Sequence, residues 1–300
     1  MKKILSLLFI LLFCFGCSKK SDDSEKTIRI GVSMLSLQNE FILKVSNSLE
    51  KYAKKNKVEL IVVDAERSAI KQIEQVENFI NQQVDAIILN PCEFEASSPA
   101  ILKAREAGIP IINVNSSTKE KPDAWVGSDD KESAAMAIDF LAKKIGNTGN
   151  IVIIQGYLGQ AAQIDRDKGA QDALKKYPNV KIIATQTAEW DRAKAMSLME
   201  NWIQLHGQKI NGVFAQNDEM GLGALQALLD RQLKNKIVVV SVDGIDDAKK
   251  SVSAKKLDAT IIQDAELQGK GAIEFALQLI QKKKLKNNEL KIPFKVFDRK

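Results

Sequence analysis

One histidine, three cysteines and six prolines in 300 residues set the first limits on what this chain does. His206 stands alone in Leu205-His206-Gly207, where it reads as the basic end of a helix. No Ser-His-Asp or Cys-His system can be assembled from it, nor a histidine metal centre. Cys14 lies within the N-terminal apolar run, so a chain that loses its leader keeps only Cys17 and Cys92, no disulfide framework is expected, and the fold must rest on its cores. No Gly-x-Gly-x-x-Gly or phosphate loop opens any helical stretch. The apolar run 4–15 is too short to span a bilayer. Lysines are scattered or gathered at helix ends, and the formal charge of +6 falls to +4 once Lys2 and Lys3 leave with a leader, so a solvated surface is indicated and nucleic acid is excluded as a partner.

What is present is apolar material for two cores and a regular alternation of strand and helix patterns. At 45% hydrophobic and 27% charged the composition is globular, and the length suggests two domains. Lys2-Lys3, the apolar run and Gly16-Cys17, followed by Ser18-Lys19-Lys20, read as a secretory signal over 1–16. Residues 17–26 then form a polar tether.

The alternation predicts strands at 28–34, 59–63, 86–89 and 111–114 with helices at 41–54, 69–82 and 97–107. A second set follows residues 126–129: helix 131–145, strand 151–155, helix 167–176, strand 180–187, helix 192–205, strand 212–215, helix 219–231, strand 237–242, helix 246–253, strand 259–263, helix 266–282 and strand 292–297. The expected fold class is α/β, with two doubly wound Rossmann-like lobes.

Chemistry collects where strands give way to helices. Val213-Phe-Ala-Gln-Asn-Asp-Glu-Met-Gly221 passes from a buried strand to a helix, placing Asn217 where an amide offers donor and acceptor to a ligand, with Asp218 expected to cap the helix. Asn39-Glu40-Phe41 follows the first strand and by itself reads as a capped helix start with a buried ring. Asn115 ends the fourth strand, where a turn residue is the plain reading. Gln160 lies in the loop after strand 151–155, and Arg166, six residues on, carries a rigid fork of donors. Trp190 precedes a helix that Asp191 is expected to cap, Asp243-Gly244 ends strand 237–242, and Gln263 ends strand 259–263.

The wording Phe214-Ala-Gln-Asn-Asp-Glu-Met with Gly223-Ala-Leu resembles the ribose and galactose/glucose branch of periplasmic binding proteins of bacterial ABC importers, and the matches run along nearly the whole mature chain. The resemblance implies the type I fold, with the chain crossing between lobes three times through a three-strand hinge near 127–129, 263–264 and 291–293. The lobes would comprise 27–127 with 264–291, and 128–263 with 292–300. It implies a monosaccharide held in the cleft by Asn39, Phe41, Asn115, Gln160, Arg166, Trp190, Asn217, Asp243 and Gln263, with no catalytic residue, metal or cofactor. It also implies a monomer that delivers its ligand to the membrane subunits of an ABC permease or presents it to a chemoreceptor. Gly16-Cys17 resembles a lipobox, implying export, cleavage before Cys17, lipid on its thiol, and a chain anchored to the membrane facing the periplasm or cell exterior.

The departures bear on the ligand. Galactose/glucose binders would carry His at Gln160 and Asp at Ala162, and a calcium loop where 145–150 has no carboxylate; ribose binders would carry Asp-Arg at Asn115-Ser116 and Phe at Ile42. A polyol such as inositol, or an autoinducer-2-type sugar, therefore stands beside galactose, glucose and ribose. Repressors of the lac type share the fold, but they place a helix-turn-helix where this chain has a leader and tether.

Overall fold

The computed structural model describes residues 27–298, so the leader, the tether and Cys17 lie outside the described residues. In chain order the elements are β1 (Arg29–Met34), α1 (Glu40–Lys55), β2 (Glu59–Asp64), α2 (Ala69–Asn81), β3 (Ala86–Leu89), α3 (Ser98–Glu106), β4 (Ile111–Asn115), β5 (Ala124–Gly127), α4 (Asp130–Lys144) and β6 (Gly149–Gln155). There follow α5 (Ala161–Leu174), β7 (Val180–Thr187), α6 (Arg192–His206), β8 (Ile210–Ala215), α7 (Asp218–Asp230), β9 (Val238–Asp243), α8 (Asp246–Ser253), β10 (Ala259–Ile262), α9 (Ala265–Ile280), β11 (Glu289–Lys291) and β12 (Lys295–Asp298).

Two six-stranded sheets result, ordered β11-β5-β4-β3-β1-β2 and β12-β10-β9-β8-β6-β7. Every pairing is parallel except that of β12 with β10. Because a parallel strand needs a crossover before the next, helices cover both faces, and central strands such as β3 are buried apolar runs while the edge strand β7 is largely exposed or half-buried. The helices bury one stripe. Phe41, Ile42, Val45, Leu49 and Ala53 of α1 turn inward, and full burial of each large side chain contributes ~1.5–3 kcal/mol.

Strand order reverses between β1 and β3 in one sheet and between β6 and β8 in the other. Ligand crevices form beyond the carboxyl ends of strands at such points. The chain passes between sheets after β5, after β10 and between β11 and β12, and α9 packs on α1, β3 and β4 of the first lobe. The lobes are shut against each other: Phe94 N donates to Gly159 O at 2.9 Å, Lys44 Nζ reaches Asp246 at 3.1 Å, and one buried apolar cluster includes Phe41 and Ile42 from the first lobe and Ala162 and Trp190 from the second.

Three expectations differ from the structure. The strand expected at 292–297 starts only at Lys295, as β12, because Pro293 has no N–H to donate to a ladder, and a further short strand, β11, precedes it in the other sheet. Strand β5, four residues long, was not anticipated. Helix α5 begins at Ala161, six residues before the expected start, so Arg166 projects from a helix.

Candidate functional site

All nine residues named as ligand contacts line one cavity between the lobes, joined by Leu35, Ile42 and Ala162. It is a small cleft, closed in from both lobes, with polar side chains set among apolar ones.

The first lobe contributes a neutral, half-apolar wall. Asn39 is the cap of α1, its Oδ1 accepting from Ile42 N at 3.1 Å, which fixes the side chain and leaves its amide hydrogens free for another acceptor. Leu35, Phe41 and Ile42 supply apolar surface. Asn115 holds a positive φ of 67° at the end of β4 and donates from Nδ2 to Gln263 Oε1 at 3.3 Å.

The second lobe carries the charge and the aromatic platform. Arg166 is buried, with Nε and Nη2 on Asp130 Oδ1 at 2.9 and 2.8 Å, Nη1 on the Gln216 carbonyl, and Nη2 3.9 Å from Asp243. Its guanidinium lies 5.7 Å from the Trp190 ring centroid. Trp190 (φ 61°) donates from Nε1 to Gln160 Oε1 at 2.6 Å, and it lies so close over Gly156 that a Cβ there would fall 1.9 Å from the ring. Only glycine fits under that indole. Asp243, at φ 132°, accepts from Gln263 Nε2 at 2.6 Å. Three non-glycine residues at positive φ in one cavity is the pattern in which surrounding structure over-determines a site.

Asn217, not Asp218, caps α7: its Oδ1 accepts from Met220 N at 2.9 Å. Asp218 is buried beneath the strands, accepting from Ser241 Oγ at 2.5 Å, Thr260 Oγ1 at 2.7 Å and Ile245 N at 2.8 Å. The correction has a functional side. With its oxygen fixed by the helix, Asn217 has a buried Nδ2 with no protein partner, and an unmatched buried donor calls for an acceptor in the cavity.

Several supporting residues escaped the sequence reading. Asp130 begins α4 as the second of two aspartates, and nothing local tells it from Asp129, which caps that helix. Asp167 gathers the side-chain amides of Gln155, Gln163 and Gln216, the last two at 2.5 and 2.7 Å, while Gln216 Oε1 accepts from Gly156 N at 2.9 Å. Gln216 thus ties the floor beneath Trp190 to the carbonyl that holds Arg166. Its place beside Asn217 at a strand end was the available signal.

Burial dominates the electrostatics. It pushes the Asp243 carboxyl well above the usual range, with neighbouring Asp218 adding to the rise and Arg166 opposing it. Asp130 is likewise raised by burial against the pull of Arg166. Asp218 is raised to about 6 by burial despite the hydrogen bonds it accepts, and Asp167 is raised by burial against its three amide donors. No group of three or more metal-ligating side chains is assembled among the described residues.

Comparison with known proteins gives one consistent picture. The family model for the periplasmic binding protein domain matches residues 30–284. A xylitol-binding protein of Mycolicibacterium smegmatis is 37% identical over 264 residues, 87% of this chain and 75% of that protein. The ribose import binding protein of Bacillus subtilis is 34% identical over 296 residues, 95% of each. A Bacillus halodurans ABC transporter solute-binding protein solved with bound myo-inositol superposes with a TM-score of 0.86 at 33% identity, covering 91% of this chain and 94% of that one. One from Actinobacillus succinogenes with bound D-allose gives 0.85 at 34%, covering 91% and 98%.

Proposed function

The chain belongs to the periplasmic binding protein family, and from that premise we propose that its interlobe cavity captures one neutral monosaccharide or polyol among the nine residues that line it. It is a sugar-type solute-binding protein of an ABC importer, not an enzyme. The observation that carries the ligand assignment is the convergence of all nine residues, from both lobes and seven separate segments at or just after strand ends, on one cleft.

In this reading Trp190 lies against a C–H face of the ligand, with Phe41, Leu35 and Ile42 opposite. Asn39 Nδ2, Gln160 Nε2 and Asn217 Nδ2 donate to hydroxyl lone pairs; Asn115 Oδ1 and the second oxygen of Asp243 accept hydroxyl hydrogens. The ligand is neutral because the cavity has no uncommitted cation. Arg166 already serves Asp130 and the Gln216 carbonyl, and the other charge facing the space is the carboxylate of Asp243. Xylitol, ribose, myo-inositol and D-allose, named for the relatives and neighbours, share that chemistry.

The leader and Gly16-Cys17 support export and attachment through a lipid on Cys17, with transport rather than presentation to a chemoreceptor as the role. Both readings meet in one experiment. Expressed in a strain deleted for its gene, the wild-type chain should partition with membranes and restore uptake of the ligand, whereas Cys17→Ser should leave the membrane fraction. Uptake that never depended on the gene would favour the sensory role, and undiminished acyl labelling of Cys17→Ser would remove the lipid anchor.

A further inference from the structure

Gln263 was expected to touch ligand, yet its amide is almost wholly used by protein. Nε2 donates to Asp243 Oδ1 at 2.6 Å. Oε1 accepts from Asn115 Nδ2 at 3.3 Å and from Gln268 Nε2 at 3.2 Å, which fills both of its lone pairs. The partners divide by lobe. Asp243 ends β9 of the second sheet, Asn115 ends β4 of the first, and Gln268 lies on α9, which packs on the first lobe. Gln263 itself stands in the second crossing segment, between β10 and α9.

We propose that Gln263 is a latch between the lobes, its amide oriented by Asp243 so that its oxygen holds the first lobe shut. The orientation follows from the chemistry of the partners. Asp243 Oδ1 accepts from the NH₂ end of the amide, which turns the carbonyl towards Asn115 at the end of β4 and Gln268 in the first turn of α9. Asn115 and Asp243 both hold positive φ, which fixes the two ends of the chain of bonds. The bond that carries the latch across to the first sheet is the part-buried one from Asn115 Nδ2 to Gln263 Oε1, and it is less open to solvent than the Lys44–Asp246 pair that also joins the lobes. Gln263 is a positioning residue in this scheme. It couples Asp243, a proposed ligand contact, to the approach of the opposite wall.

The inference rests on the reading of the chain as a two-lobed protein that closes on its ligand, but its test uses no ligand. Both sheets and their cores lie within residues 27–298, so the body from Ser24 onward contains all that the fold requires. Spin labels on Lys55→Cys in the first lobe and Lys175→Cys in the second, both exposed and distinct from buried Cys92, report the interlobe distance by pulsed electron resonance. The ligand-free protein should show a short-distance population, and Gln263→Met, which keeps length but removes the amide, should lower the closed-to-open ratio about fivefold or more. Gln268→Met should do the same in part, although Gln268 does not line the cavity. Circular dichroism melts of both variants confirm that they are folded. Distance distributions unchanged in both folded variants, or a wild-type protein wholly open without ligand, would overturn the latch. Silence of every sugar in a binding screen would count against the ligand assignment and leave this result standing.

Discussion

Trp190→Ala is expected to weaken ligand binding by about 2–3 kcal/mol, roughly 30- to 150-fold, through loss of the aromatic face and its apolar contact area. Three consequences combine. The stacking platform disappears, Gln160 Oε1 loses the indole N–H at 2.6 Å, and the guanidinium of Arg166 loses a ring 5.7 Å away. Because Trp190 is only 6% exposed, the same change should also lower the stability of the ligand-free protein, by ~3–5 kcal/mol for a buried tryptophan. The two effects separate with Trp190→Phe, which keeps a ring over Gly156 and loses the N–H. Its affinity should fall between wild type and Trp190→Ala. Calorimetric titration of each variant, alongside a urea melt without ligand, provides both numbers, and a folded Trp190→Ala protein of undiminished affinity would take Trp190 out of the site.

Arg166→Met should lower the stability of the fold about as much as Trp190→Ala does, by a different route. It leaves Asp130, whose side chain is only 13% exposed, with no countercharge and the Gln216 carbonyl without its donor, and breaking a largely buried pair in this way costs up to about 3–5 kcal/mol. Binding should be lost at the same time. Adding Asp130→Asn to Arg166→Met removes the stranded charge, so stability should return in large part while affinity does not. The pH dependence has a definite sign. Asp130 is already raised by burial with Arg166 opposing, so removing Arg166 raises it further. A carboxyl whose folded pKa exceeds its unfolded value destabilises the fold once ionised. The deficit of the single variant is therefore full above that raised pKa and shrinks as pH falls and Asp130 takes up its proton. Urea melts across acid to neutral pH would check this; a deficit constant with pH, or no recovery in the double variant, would show that Asp130 is not the cause.

Much of this site could be read from residues because most of the side chains that line it stand where a strand pattern stops. Asn39, Asn115, Gln160, Trp190, Asn217, Asp243 and Gln263 are all of that kind, and the parallel-sheet rule sends such positions to one crevice. What stayed hidden depends on contacts between residues distant in sequence. Asn217 and Asp218 are equally good caps by composition, and only Ser241 and Thr260, brought beneath α7 by β9 and β10, decide that Asp218 is buried and Asn217 caps. Arg166 was legible as a donor, but Asp130 was not legible as its partner, because α4 and α5 come together only in the fold. The start of α5 was misplaced because Gln160 makes no side-chain cap and leaves no local signal. Gln263 was legible as a cavity residue, while its bonds to Asn115 and Gln268 depend on the closed arrangement of the lobes.

The most direct test of a neutral-ligand cleft is a calorimetric titration of the body from Ser24 onward with ribose, xylitol, myo-inositol, D-allose, galactose and glucose, each set against a phosphorylated or acidic counterpart where one exists. One neutral compound should bind in a saturable 1:1 manner and raise stability by ~2.7 kcal/mol at a hundredfold excess over its dissociation constant, and its anionic counterpart should not bind. Binding of an anionic sugar in preference to every neutral one would contradict the assignment of Arg166 as already committed, and with it the neutral ligand proposed for this cavity.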